Sequence, residues 1–164
     1  RFCLRQVPLP LDFLPGEYVS VPAMPGAATR ERKHMAMHPI AHAATRPDHP
    51  AVIMTGSGQQ MTYGEIEAES NRFAHLLRAH GIGAGDAFAV LLENRIEYFT
   101  LIWGSQRAGT MLVPISSRLT APEAAYIVRD AQAKLLITSG YFTGVLDDIR
   151  KECPGLTVLV MDSG

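Results

Sequence analysis

Apolar and polar positions fall into short blocks along residues 36–161, and the period of the blocks switches repeatedly between strand-like and helix-like. Residues 36–46 read as a short helix stopped by Pro47. Residues 51–54 and 61–63 read as two short strands joined by Thr55-Gly56-Ser57-Gly58-Gln59-Gln60, a glycine-bearing hairpin connection. A helix is predicted from Thr62, because Glu65 follows three residues later at the capping-box spacing. Ile66, Ser70, Phe73, Leu77 and His80 then share one face, and Gly81 supplies the stop just past the helix end.

Residues 87–92 (AFAVLL) are apolar without a break, so both faces of that strand must be covered, as in a parallel sheet. Asn94 and Glu97 predict the next helix start, with Asn94 as cap. Phe99, Ile102, Trp103 and Gln106 form its expected inner face, and Gly109 ends it. Residues 111–115 read as a strand, and Thr120-Ala121-Pro122-Glu123 opens a third long helix through Tyr126, Ile127 and Ala131. Residues 134–138 (KLLIT) form a strand, 142–152 a helix ended by Pro154-Gly155, and 156–161 (LTVLVM) a last strand. The order βαβαβαβ predicts an α/β fold with a parallel, doubly wound sheet.

Residues 1–34 follow no such pattern. Pro8, Pro10, Pro15, Pro22 and Pro25 interrupt every apolar run, and each removes a backbone donor and fixes φ. The segment lacks the unbroken apolar core of a secretory signal. It reads as a Pro-rich leader or upstream extension, expected to be disordered, with Met35 as the natural start. Residues 35–164 then form the α/β portion. The rival reading is an arm packed on that portion through Phe2, Leu11, Phe13 and Tyr18.

Composition narrows the function classes. The 164 residues carry 15 Lys and Arg against 16 Asp and Glu, so no global field draws the chain to nucleic acid or to an acidic membrane surface. No stretch approaches the ~18 uninterrupted apolar residues of a membrane span. The two cysteines, Cys3 and Cys153, are far apart and form no disulfide framework, which points to a reducing cytoplasm.

Local motifs yield little chemistry. A phosphate cradle needs a strand-to-helix turn, whereas Gly56-Ser57-Gly58 leads into a second strand. Gly81 to Asp86 runs from helix to strand, the reverse of the dinucleotide fingerprint. His38 and His42 have helical metal-ligand spacing, yet no third ligand accompanies them, and they read as surface histidines. Trp103 reads as core. No nucleophile elbow and no Walker loop occur. No catalytic and no metal residue is therefore assigned. Arg118, between a strand end and a helix start, is the single weak candidate for cofactor binding, against the plainer reading of an exposed loop arginine.

The motif series taken in order is more informative than any one piece. Thr62-Tyr63 with Glu65, Asn71 with Ala74-His75-Leu76-Leu77, and Gly81 to Asp86 come first. Leu92, Asn94, Glu97 and Phe99 follow, then Ala108-Gly109, Val113-Pro114, Ser117-Arg118-Leu119, Pro122-Glu123 and Tyr126-Ile127. This series resembles the N-terminal part of the AMP-forming acyl-CoA synthetases, the adenylate-forming superfamily. In that family Asn-Arg-Leu usually stands where Ser117-Arg118-Leu119 stands here. The resemblance implies a partial subdomain of the adenylate-forming fold, with the hairpin and first long helix in one sheet and the later βα units in another. It implies ATP, Mg²⁺ and CoA for a whole enzyme that activates a fatty acid or other carboxylate. The family's ATP loop, adenine motif, ribose-binding Asp and catalytic Lys match nothing within these residues. The chain alone is thus expected to be inactive, to hold no cofactor, and to self-associate. Peripheral membrane contact is left open. The competing readings are a non-catalytic α/β protein-interaction domain and an independent nucleotide-binding domain.

Overall fold

The computed structural model describes residues 38–161, and both readings of residues 1–34 fall outside them. Helix α1 (Pro39–Thr45) is followed by a two-stranded antiparallel sheet of β1 (Pro50–Ile53) and β2 (Gln60–Thr62). Then come α2 (Tyr63–Ala79), β3 (Ala87–Leu91), α3 (Glu97–Ala108) and β4 (Met111–Pro114). The chain continues through α4 (Ala121–Asp130), β5 (Leu135–Ser139), a 3₁₀ turn (Gly140–Phe142), α5 (Thr143–Glu152) and β6 (Thr157–Met161). The four later strands form one parallel sheet in the order β4-β3-β5-β6. The expected doubly wound arrangement and two separate sheets are present, but α2, expected to go with the hairpin, packs on the four-stranded sheet because its apolar stripe of Phe73, Leu76 and Leu77 meets Phe88 and Val90.

Strand alternation explains the layers. In β3, Phe88 and Val90 point to one face and Ala89 and Leu91 to the other, and all are buried. The first face packs against Phe73, Leu76 and Leu77 of α2 and Leu101 of α3. The second packs against Ala124, Ala125 and Val128 of α4 and Leu146 and Ile149 of α5. Burial on both sides is what the unbroken apolar runs require. Each fully buried Leu, Phe or Ile contributes roughly 1.5–3 kcal/mol.

Helix starts follow local hydrogen bonding. Thr62 Oγ1 accepts the Glu65 N–H at 3.2 Å and Glu65 Oε2 accepts the Thr62 N–H at 2.8 Å, a reciprocal box at the start of α2. At α4 the Glu123 carboxylate accepts both the N–H and the hydroxyl of Thr120, each at 2.8 Å. Gly81 stops α2 at φ +71°, as its position predicted.

Two expectations about α3 need correction. Its cap is Ile96, with no side-chain hydrogen bond, and Asn94 is exposed in the preceding turn. Its inner face is Thr100, Leu101, Gly104 and Ser105, whereas Phe99, Ile102 and Gln106 face outward and Trp103 is half-buried. The physical reason is the close approach of α2. A Cβ on Gly104 would lie 2.6 Å from Phe73 Cδ1 and 2.9 Å from the Ser70 carbonyl oxygen, so only glycine fits there without a shift of α2.

Candidate functional site

The topology marks one edge of the sheet. Strands β3 and β5 are parallel neighbours, but β3 leads into α3 on one face and β5 into α5 on the other. Such divergence opens a crevice at the strands' C-terminal ends, where doubly wound folds bind ligands. Here the crevice is laced by side chains. Ser139 Oγ donates to Glu93 Oε2 at 2.5 Å across the two strand ends. Arg95 bridges Glu93 at 3.3 Å and Glu97 at 3.2 and 3.1 Å. Burial pulls the Glu97 carboxyl up, and the hydrogen bond and charge of Arg95 more than offset that, leaving it below the ordinary value.

Beside this edge, on the α4–α5 side, lies a cavity of about 200 Å³. Leu91, Leu119, Ala124, Phe142 and Val145 supply apolar wall, with Ser117, Thr120 and Tyr141 also lining it. Arg118 sits between two lining residues and is itself exposed; its N–H donates to Ser116 Oγ at 3.3 Å. Thr138, cross-strand neighbour of Leu91, is fully buried, and its Oγ1 has no hydrogen-bond partner among the described residues.

A second polar cluster joins α2 to α3. Arg107 donates to Ser70 Oγ at 3.0 Å and Asn71 Oδ1 at 3.2 Å, and forms an ion pair with Glu67. Asn71 in turn donates to Glu67 Oε1 at 3.1 Å. Nearly every polar atom is matched, as a buried charge requires. The sequence reading missed this cluster because Glu67 and Arg107 are 40 positions apart. The signal was an ionisable residue near each helix's apolar stripe.

His38 and His42 do not lie together at a metal centre, and among the described residues no group of three or more His, Cys, Asp or Glu could hold an ion. Neither is a surface histidine, since both are half-buried. The His38 ring meets Trp103 edge-on at 4.9 Å, and the His42 ring meets Tyr63 at 4.8 Å. Cys153 is buried as a free thiol, and burial pushes its pKa up.

The glycine turns do not fit a nucleotide. Gly58 closes the hairpin with its N–H bonded to Met54 O at 2.8 Å. In the turn after α2, the Gly83 N–H already donates to Asp86 Oδ2 at 2.9 Å and the Gly85 N–H to Gly109 O. A carboxylate thus occupies an amide that a phosphate would need.

The fold and its switch edge define an α/β domain of the adenylate-forming type. Residues 40–163 match the family described as AMP-binding enzyme, and the chain belongs to that family. A fatty acid–[acyl-carrier-protein] ligase, ScoC, of Streptomyces coeruleorubidus is 36% identical over 122 residues, covering 74% of this chain and 23% of that protein. The long-chain-fatty-acid–CoA ligase FadD13 of Mycobacterium tuberculosis is 36% identical over 110 residues, covering 67% and 22%. Among solved structures, the N-terminal domain of FACL13 from Mycobacterium tuberculosis superposes with a TM-score of 0.68 at 31% identity, covering 76% of this chain and 32% of that one. The chain spans less than a quarter of the length of the two ligases it matches.

Proposed function

We propose that this chain is the N-terminal scaffold portion of an ATP-dependent, AMP-forming fatty-acid–CoA ligase. The observation that carries the reading is the family match over residues 40–163, together with the relatives that act on fatty acids. ATP, Mg²⁺ and CoA serve the whole enzyme, which activates a carboxylate as the acyl-adenylate and passes the acyl group to CoA. Within it, these residues supply a rigid parallel sheet whose C-terminal edge is tied by Ser139, Glu93 and Arg95, and they contribute no reacting group. Arg118 remains the one candidate for contact with a bound group. The setting is the cytoplasm.

The test is ATP–pyrophosphate exchange with a series of fatty acids. The 164 residues alone are expected to show none. Fatty-acid-dependent exchange is expected once the chain is joined to a segment carrying an ATP loop. Robust exchange by the 164 residues alone would sink the scaffold reading. A stop codon directly after Gly164 in the gene would favour a non-catalytic interaction domain instead.

A further inference from the structure

We propose that His38 is a proton-sensitive latch, which holds α1 on α2 and α3 while its ring is neutral and releases α1 when the ring is protonated. The geometry requires a neutral acceptor. The Ile40 N–H donates to His38 Nδ1 at 3.2 Å, capping α1, and a protonated Nδ1 has no lone pair to accept it. At the same time the ring stands edge-on against Trp103 of α3 at 4.9 Å. One imidazole therefore both starts α1 and fastens it to the neighbouring layer.

Among the described residues, the charged groups that face the ring are already engaged with one another. From α2 the facing charge is Glu67, whose Oε1 accepts from Asn71 and whose Oε2 pairs with Arg107. From α3 it is Arg107 itself, a fixed positive charge. On α1, His42 lies one turn further along and is engaged by Arg46 at 3.2 Å and by the Tyr63 ring of α2. Burial first, and Arg107 next, lower the His38 pKa below 6.5, with Glu67 opposing in part. The sign follows. The folded value lies below the unfolded one, so the stabilisation is complete above pH 6.5 and is lost as pH falls below it. Helix α1 has seven residues, too few to be stable alone, so loss of its cap and of the Trp103 contact loosens it even though His42 still meets Tyr63.

Trp103 is the chain's single tryptophan, so its emission reads this contact directly. Imidazolium quenches indole fluorescence, and release of α1 exposes the ring to water. In the wild-type chain, emission is expected to change in one step as pH falls, with a midpoint below 6.5. Amide exchange of residues 39–45, corrected for its intrinsic pH dependence, should rise about five- to tenfold over the same step, the shift that loss of one cap produces. His38→Asn keeps a short acceptor for the Ile40 N–H but cannot titrate, so both signals should stay level. His42→Gln should retain both. The latch is overturned by any of three results: no step in the wild type, a step that survives in His38→Asn, or an emission step with unchanged exchange of α1.

Discussion

Thr62 and Asn94 are both capping residue types, each three positions ahead of a glutamate, and only one caps a helix. Thr62 exchanges hydrogen bonds with Glu65, whereas Asn94 stands exposed in a turn whose helix begins after Ile96. Thr62→Ala should therefore cost about 0.5–2 kcal/mol in urea unfolding. Asn94→Ala should fall within about 0.5 kcal/mol of the parent. Equal losses would mean that the α3 start is misplaced. Asp86 offers a pH test at the same scale. The Gly83 N–H and then Lys134 hold its carboxyl below the ordinary 3.8. Its contribution is present above that value and fades as pH falls through the lower folded value. Asp86→Asn should accordingly flatten the loss of unfolding midpoint between pH 5 and 2. An unchanged slope would show that other carboxylates govern acid unfolding.

The elements themselves were readable from period and punctuation, because apolar runs on both faces and glycine stops act locally. The orientation of α3 was not readable. Its outward Phe99 and Ile102 are larger and more apolar than its inward Gly104 and Ser105, so hydrophobicity alone selects the wrong face. What decides is backbone proximity between α2 and α3, a property of two helices together. Gly104→Ala brings this into the open. Alanine favours an isolated helix by about 1 kcal/mol over glycine. Here the new methyl would meet a carbonyl oxygen at 2.9 Å that cannot retreat without moving α2. Overpacking of about 1–3 kcal/mol should outweigh the propensity gain, giving a net loss in chemical denaturation. A stabilised variant would show that the helices separate freely. The polar tie beneath that contact, Arg107 to Glu67, was equally hidden, since its partners are distant in sequence.

At the scale of the whole molecule, the described strands leave β4 and β6 as sheet edges, and Met111 on β4 is 56% exposed. Phe99 and Ile102 add apolar surface on α3. Edges and patches of this kind pair with further chain when it is present, and with a second copy when it is not. Light scattering across a dilution series should show the 164 residues associating. A monomer at high concentration that binds no apolar dye would mean that the surface is self-sufficient. The strand order has a further consequence in time. Strand β3 is central in the sheet yet is the first of the four to be synthesised. The unit β3–α3–β4 can close as it leaves the ribosome, because its partners are adjacent in sequence. The other edge of β3 must wait for β5, which α4 carries across to the far side. Between the emergence of Pro114 and that of Ser139, AFAVLL stands half-covered, and in that interval a chaperone and an aggregate compete for the nascent chain.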